Sequence, residues 1–419
     1  MAIFIFLIVL LICFKRPMLG LALLLQTNII RSLVNINYTN PCFNCSNKPD
    51  ILLGAILPIA GFIIIIFRLE LLKSVKYVIG IFDVFFVTST LILFTTSLYA
   101  IDMVESLDYS FRFLLLGFGY FFISKLILLN SNNSNESIKS FLIYTLWIAI
   151  IFGVFGDILY LAKGFGQGAY RLTIPGVHPI PFSQLIGLGI FTSFILFITN
   201  GTYFNITSKL KLNLNKALLP FLILMLLATQ TRGVMLSIAI AVFVYLILSK
   251  VKIKKRILYA SAVLMVLALI IAIHYIDFEV LFERLLAKQT ASSVNDRFIA
   301  YNDSLRLFIE YPFGIGPDAF KHYSILPYPH NLFLEFLSQY GIFGLLMSFY
   351  LIFLIIYMIF IVKKIGKKSL THIILLALFF YFFIEAMFSF TLWMQKGMFL
   401  TMGAFSGYHY RFKRKQYLQ

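Results

Sequence analysis

Charged residues are scarce in this sequence. They make up 12% of the 419 residues, whereas an average soluble domain has about 25%, and 61% of the residues are hydrophobic. So large an apolar surplus cannot be buried in one water-soluble core. The sequence therefore excludes an ordinary soluble protein and predicts a chain that is solvated by lipid.

Acidic residues are scarcer still, at 17 against 35 basic residues, which gives a net charge of +18. The basic surplus does not form one continuous face, so no nucleic-acid partner is expected. It occurs in short clusters between apolar runs, the pattern of the positive-inside rule. With the apolar runs as spans, all clusters fall on one side, which we assign to the cytoplasm: 15–16, 68–76, 209–216, 250–256, 363–368 and 411–415.

Cysteine is rare as well, with three in the whole chain. Cys13 lies in the first apolar run, and Cys42 and Cys45 lie together in a polar loop. A structural metal site would need about two more ligands at suitable spacing, and the sequence has none nearby. A disulfide in an oxidising compartment and an ordinary loop pair both remain open for Cys42 and Cys45.

The chain also lacks the signals of nucleotide chemistry. It contains no P-loop, no dinucleotide-binding fingerprint and no Asp-x-Asp motif, so neither a metal nor another cofactor is expected. No basic stretch precedes the first apolar run, which favours a retained span over a cleaved signal peptide. We find no soluble domain, low-complexity linker or internal repeat.

The abundant apolar runs predict the fold class. A run of about 17–25 residues is long enough to cross a bilayer as a helix. We therefore predict an all-α, polytopic transmembrane bundle of about 11–13 spans, since some runs are short. The runs are 2–14, 17–34, 51–67, 77–99, 111–129, 138–162, 179–199, 217–230, 232–248, 257–274, 331–361, 371–393 and 397–410.

One long segment, 275–330, falls on the outer, periplasmic side in this topology. Loops of this length are usually functional or disordered, and a stiff turn at 312–317 favours function. Apolar side chains at three- and four-residue spacing predict an amphipathic helix over 296–311: Phe298, Tyr301, Leu305 and Phe308. Asn295 would cap this helix and Pro312 would end it.

Two arginines are candidates for binding a phosphate. Arg171 lies in a loop rich in Gly and Pro, where its planar guanidinium would either bind phosphate or simply reach the membrane interface. Arg232 lies between two apolar runs, where a charge is costly and marks either a site or a structural ion pair. It precedes a helix whose first N–H groups favour an anion. Both interpretations remain open for each arginine.

His330 is the candidate general base. It stands in Tyr328-Pro329-His330-Asn331, at the start of a long apolar run, and an unperturbed imidazole has a pKa of about 6.5. Glu335, about one turn further, would orient the imidazole or pair with an arginine. The alternative is that His330 is a helix cap or an interface residue.

The order of these motifs resembles a known family. Thr-x-Thr-Arg-Gly at 229–233 precedes an outer helix with Arg297 near its start, followed by Tyr-Pro-Phe-Gly-Ile-Gly-Pro-Asp-Ala-Phe at 311–320. Pro-His-Asn-Leu-Phe-Leu-Glu-Phe-Leu-Ser-Gln-Tyr-Gly-Ile-Phe-Gly-Leu-Leu follows at 329–346. Together they resemble the shared domain of the O-antigen ligase and O-antigen polymerase superfamily, best over 165–350.

The resemblance implies a single membrane domain over 1–419, with a GT-C-like fold and a metal-independent, inverting glycosyltransferase activity. The implied donor is a glycan on undecaprenyl diphosphate, used at the periplasmic face of the inner membrane. By motif position, Arg232 and Arg171 would hold the diphosphate and His330 would activate or orient the acceptor hydroxyl. Arg297, Asn331 and Glu335 would support them.

The acceptor implied by the resemblance is either a growing glycan or lipid A-core. We slightly favour the repeat-unit polymerase, because such members are numerous and varied, over the ligase. Other polysaccharide-assembly proteins are further candidate partners. A protein O-oligosaccharyltransferase is a third relative, disfavoured because the chain has no large extra C-terminal domain. From another class, a lipid-linked oligosaccharide flippase or transporter would show repeated halves and charged residues near the midplane. Here the halves are unlike, and the candidate site residues lie at one face.

Overall fold

The described part of the chain is entirely helical. The computed structural model describes residues 2–34, 52–72, 76–162, 171–174, 177–206, 208–249, 291–365 and 369–417, and no strand occurs among them. The Cys42–Cys45 pair, the predicted span 257–274 and residues 275–290 of the predicted outer segment lie outside this part. The helices are α1 Ala2–Lys15, α2 Pro17–Leu25, α3 Thr27–Val34, α4 Leu57–Leu72, α5 Ile81–Ser97, α6 Met103–Arg112, α7 Gly119–Asn130, α8 Ser134–Ala162, α9 Pro179–Ile198, α10 Lys209–Ala228, α11 Arg232–Ser249, α12 Ala291–Glu310, α13 Leu332–Ile365, α14 Leu370–Ala386 and α15 Lys396–Tyr417.

The predicted class, a polytopic helical membrane protein, is confirmed. By length and composition, five described helical segments can cross a membrane, including Leu332–Ile365, the longest. The others are Met103–Asn130, in which the π-helix Phe113–Phe118 joins α6 to α7, Ser134–Ile158, Pro179–Ile198 and Arg232–Ser249. Shorter apolar helices occupy further predicted runs: Ala2–Lys15, Leu57–Leu69, Ile81–Ser97, Leu212–Ala228 and Leu370–Ala386.

The chain forms two compact units, each built from two separate segments. The first unit comprises Met1–Ile65 and Asn135–Gln289. Its α9 packs against α10 and α11, and at Gly189 a Cβ would lie 2.8 Å from the Cβ of Ala149, so glycine permits this close approach to α8. The predicted run 17–34 is two helices rather than one, because the chain leaves helical geometry at Gln26.

The second unit comprises Ile66–Ser134 and Thr290–Gln419. Its most extensive helix pair is α7 with α15. The Lys125 ammonium is fully buried, forms an ion pair with Asp83 and donates to the carbonyl of Val78 at 2.7 Å. Lys125 and Asp83 therefore have the structural pairing that is expected of charges inside a membrane bundle. The prediction of one membrane domain over 1–419 stays a prediction.

Helix α12 begins earlier than the sequence predicts. It spans Ala291–Glu310, so Asn295 lies inside the helix and the prediction that it forms the cap is wrong. Its end just before Pro312 agrees with the prediction, since proline cannot continue a helix. The side that is packed in the core carries Ala300 and Leu307, which join a hydrophobic cluster with Ile315, Ala319 and Phe320.

A glycine-rich turn attaches the chain after α12 to the kink of α13. Gly341 interrupts α13 with a φ of +56°, and the N–H of Ile342 donates to the carbonyl of Pro312 at 2.8 Å. A Cβ on Gly341 would lie 2.1 Å from that same carbonyl oxygen, and one on Gly314 would lie 2.3 Å from the carbonyl oxygen of Gln339. Only glycine permits so close an approach of two backbones. The turn thus fixes the first part of α13, which carries Glu335 and begins two residues after His330.

Candidate functional site

The predicted site residues fall into two groups, one in each compact unit. Arg171 and Arg232 belong to the first unit, and Arg297, His330, Asn331 and Glu335 belong to the second. Different helices and turns position the residues of each group.

His330 occupies a strained turn directly before α13. Its φ of +57° lies in the left-handed region, which costs free energy for any residue other than glycine. Asn331 stabilises this turn by capping α13: its Oδ1 accepts the N–H of Phe333 at 3.1 Å and the N–H of Leu334 at 3.2 Å. The cap is therefore Asn331 and not His330. Strain that is held in place in this way is a feature of functional sites.

Two contacts hold the imidazole ring of His330, and one ring nitrogen forms no hydrogen bond in the described structure. The backbone of Phe388 hydrogen-bonds to the ring, and the Tyr328 ring lies with its centroid 4.3 Å from the imidazole centroid. Nδ1 is buried and has no hydrogen-bond partner in the described structure. We therefore assign the proton of the neutral ring to Nε2, which leaves the lone pair on Nδ1.

The surroundings of His330 favour this neutral form. Burial lowers the pKa of His330 to about 4, and the positive charge of Arg297 on α12 lowers it in the same direction. The bond to Phe388 acts the other way and is weaker. Burial and the charge of Glu335 raise the pKa of the Tyr328 hydroxyl to about 12 although Arg297 opposes them, so this neighbour stays protonated near neutral pH.

Glu335 lies at the centre of a buried hydrogen-bond network. The residue is 1% exposed, and its Oε1 accepts from the Tyr109 hydroxyl at 2.6 Å, from the N–H of Leu392 at 3.1 Å and from the Thr391 hydroxyl. The hydroxyls of Tyr109 and Thr391 also lie 2.7 Å apart. The sequence reasoning missed Tyr109 and Thr391, because they are 226 and 56 residues away from Glu335 in the chain.

The segment after α14, residues 387–392, contacts the His330 region at successive points. The Asn331 side chain donates to the carbonyl of Met387 at 3.5 Å, His330 bonds to the backbone of Phe388, and Glu335 holds Thr391 and Leu392. This positioning segment therefore determines where the imidazole points. No local motif in the sequence marks it.

Arg171 is held beside the end of α10. The N–H of the next residue, Leu172, donates to the carbonyl of Ala228 at 3.0 Å, so the segment of Arg171 is fixed to the turn that leads to Arg232. Nearby, His178 is the N-cap of α9, and its Nδ1 accepts the N–H of Ile180 at 3.3 Å. Desolvation lowers the pKa of His178, and the charge of Arg171 lowers it further.

Arg232 is the first residue of α11, and its side chain is exposed. The turn before it is tight, with Gln230 at a φ of +52° and the Thr229 hydroxyl donating to the carbonyl of Leu226 at 2.7 Å. The carbonyl of Thr231 accepts the N–H of Met235, which begins the helix. The first N–H groups of a helix have no acceptor within it and favour an anion. A guanidinium at this position adds to that preference.

Among the described residues, no group of three or more His, Cys, Asp or Glu side chains is arranged to hold a metal ion. Metal independence stays a prediction, as do the individual roles of the six site residues.

Comparison with known proteins agrees with the motif analysis. The sequence model of the O-antigen ligase family matches residues 217–349. The matched stretch contains Arg232, Arg297, His330, Asn331 and Glu335 and does not contain Arg171. The predicted resemblance to the O-antigen ligase and polymerase superfamily is thereby confirmed. No curated protein and no solved structure matches the chain.

Proposed function

We propose that this chain, whose residues 217–349 match the O-antigen ligase family, transfers a glycan from undecaprenyl diphosphate to an acceptor hydroxyl at the periplasmic face of the inner membrane. The observation that carries the proposal is the state of His330: a neutral imidazole, held in a strained turn, with a buried Nδ1 that has no partner in the described structure. Such a group offers an unused lone pair, which can accept the hydrogen bond of an acceptor hydroxyl and take its proton as the new glycosidic bond forms.

The reaction follows from that placement. Nδ1 of His330 takes the proton of the acceptor hydroxyl as its oxygen bonds to the anomeric carbon of the donor sugar. The bond from that carbon to the diphosphate oxygen breaks, and its electron pair leaves with undecaprenyl diphosphate. Attack opposite the leaving group inverts the anomeric centre. A general base of this kind contributes about 10²–10⁴ in rate.

Arg232 and Arg171 would stabilise the diphosphate as its negative charge grows. The hydrogen bond from Leu172 to Ala228 and the helix N-terminus at Arg232 support this assignment, because they join two guanidinium-bearing segments near N–H groups that favour an anion. With this stabilisation the leaving group needs neither a metal nor a nucleotide.

The acceptor distinguishes two forms of the proposal. In a polymerase, which we favour, the acceptor is another lipid-linked repeat unit or the growing chain. In a ligase it is lipid A-core. Either form requires the bilayer, which holds the polyprenyl tail, and other polysaccharide-assembly proteins are natural partners in both.

The test is a transfer assay with purified full-length protein, a lipid-linked repeat unit and EDTA. A ladder of products identifies the polymerase, and a product on added lipid A-core identifies the ligase. Loss of all transfer on removal of metals would contradict the metal-independent mechanism. Movement of the lipid-linked glycan across vesicles without new glycosidic bonds would reject the proposal in favour of a transporter.

A variant of Arg232 tests whether this residue binds the diphosphate. We expect Arg232→Ala to abolish transfer while membrane insertion stays normal, because a leaving group with an uncompensated charge departs slowly. Arg306→Ala, an exposed arginine that pairs with Asp303 on α12, is the control and should retain transfer. Full activity of Arg232→Ala would remove this residue from the mechanism.

A further inference from the structure

Helix α12 carries more apolar surface than its own unit covers. At about 100° per residue, the buried positions Ala300 and Leu307 share one side of the helix. Phe298, Leu305 and Ile309 fall roughly on the opposite side from Ala300 by the same geometry. These three side chains are 60%, 47% and 77% exposed.

Three exposed polar residues of α12 lie on a neighbouring arc, which also carries Ile299 at 45% exposed. Asn302, Arg306 and Glu310 follow one another at four-residue spacing, and all three are exposed. The helix therefore has two apolar strips. One packs on the hydrophobic cluster, and the other, Phe298–Leu305–Ile309, is exposed beside a polar strip. An outward strip of large apolar residues along a solvated polar arc is characteristic of helices that lie in a membrane interface.

The chain that follows the exposed strip contacts α13 near its exposed apolar side chains. Beyond Gly341, α13 exposes large apolar side chains at helical spacing along its length: Ile342, Leu346, Phe349, Phe353, Ile356 and Phe360. Phe313, which is 63% exposed, lies with its ring centroid 6.2 Å from that of Phe343, at the end of this surface nearest the kink of α13. Tyr311 and Ile309 precede Phe313 in the chain.

A third element extends the same surface. The Tyr99 hydroxyl donates to the carbonyl of Phe313 at 2.5 Å, and its side chain is 48% exposed. Ile101 and Val104 follow at 64% and 78% exposed. Tyrosine with its ring in an apolar zone and its hydroxyl bonded is typical of the boundary between lipid and water. Exposed apolar residues therefore lie on α12, on α13 and on the segment 99–104, and Phe313 contacts the last two of these.

We infer that α12 lies in the membrane interface, with the Phe298–Leu305–Ile309 strip inserted among the acyl chains of the bilayer. The occupant is lipid, because Phe313, four residues after Ile309, contacts the candidate membrane span α13 near its exposed apolar side chains. Arg297, whose charge acts on His330, projects from the same helix. The inference concerns lipid contact alone and stands whether or not the chain transfers glycans.

The test is photocrosslinking of the full-length protein in lipid nanodiscs. A photoreactive residue is placed at Ile309, at Leu305, at Phe349 as the position expected in the bilayer, and at Glu310 as the matched control. Ile309 and Glu310 are neighbours in sequence but point about 100° apart around the helix. Adducts are identified by mass spectrometry.

We expect abundant phospholipid adducts at Ile309, Leu305 and Phe349, and several-fold fewer at Glu310. Two results would overturn the inference. One is lipid adducts at Phe349 with none at Ile309 or Leu305. The other is crosslinking of Ile309 to a second copy of the chain or to another protein in place of lipid.

Discussion

Single residues determine the chemistry proposed here, and His330 is the clearest case. A free imidazole is half protonated at about pH 6.5, but burial and the Arg297 charge lower the pKa of His330 to about 4. Because the neutral form is the base, transfer should persist as pH falls through 6.5 and decline only near the lowered pKa.

The free energy of unfolding should also fall with pH. The folded state favours neutral His330, so this contribution to stability is lost as pH falls from about 6.5 through 4.

Replacing Arg297 tests that electrostatic coupling. Arg297→Ala removes a positive charge that disfavours protonation, so the acid limb of the kcat/KM profile should move to higher pH. The shift should be partial, because burial is the larger cause. Arg306→Ala changes the charge on the same helix at a residue paired with Asp303, and its profile should match that of the parent protein. Identical profiles for all three proteins would contradict the coupling.

Thr391 tests the positioning role of the buried network. Thr391→Val keeps the shape of the side chain but removes the hydroxyl that Glu335 and Tyr109 share. We expect the free energy of unfolding to fall by about 1–3 kcal/mol, because a buried carboxylate loses a donor. The measurement is a comparison of kcat with KM: kcat should fall while KM stays close to that of the parent. Thr391→Ser should restore kcat, and a failure of this rescue would leave the network with a structural role only.

At the scale of elements, the glycine turn that joins α12 to α13 holds the site together. The turn and the kink of α13 approach so closely that a Cβ at Gly314 or Gly341 would meet main-chain atoms at 2.3 and 2.1 Å. Within α13, a Cβ at Gly344 would meet the carbonyl oxygen of Phe336 at 1.7 Å. The sequence showed these glycines as part of a motif with His330 and Glu335. The structure gives the reason for their spacing: they let the turn dock against the kink that precedes the lipid-facing part of α13.

Gly341→Ala should therefore destabilise the protein by at least about 1–3 kcal/mol, because alanine at a positive φ is strained even before the clash with Pro312. The thermal unfolding midpoint in detergent measures this. Gly54→Ala is the control, since its Cβ would find its nearest neighbour at 3.8 Å. Equal midpoints for the two variants would show that the turn does not constrain α13.

At the scale of the whole molecule, the sequence predicted the helical membrane class, and within the described residues helices occupy most of the predicted apolar runs, because hydropathy acts over whole segments. It also named Arg232 and His330 as candidate site residues, and their roles stay predictions. It did not predict the break at Gln26 or the start of α12 before Asn295, where local geometry overrides the apolar pattern. The sequence could not predict the contacts of Tyr109 and Thr391, since only tertiary packing brings them to Glu335.

Residues of this chain suit three requirements of the proposed reaction. A lipid diphosphate needs cationic groups, a hydroxyl acceptor needs a base, and a polyprenyl tail needs bilayer contact. Arg171 and Arg232 are held at neighbouring segments of the first unit, and His330 is held as a neutral base in the second. Each requirement therefore has residues whose local structure suits it, and the match of residues 217–349 to the O-antigen ligase family agrees with that combination.

The most direct test of the central claim is turnover by His330→Ala in purified full-length protein supplied with a lipid-linked repeat unit. We predict that kcat falls by about 10²–10⁴ while binding of the lipid-linked donor is retained, because the base acts on the acceptor proton and not on the diphosphate. Turnover at the parent rate, with donor binding intact, would contradict the claim that His330 is the base.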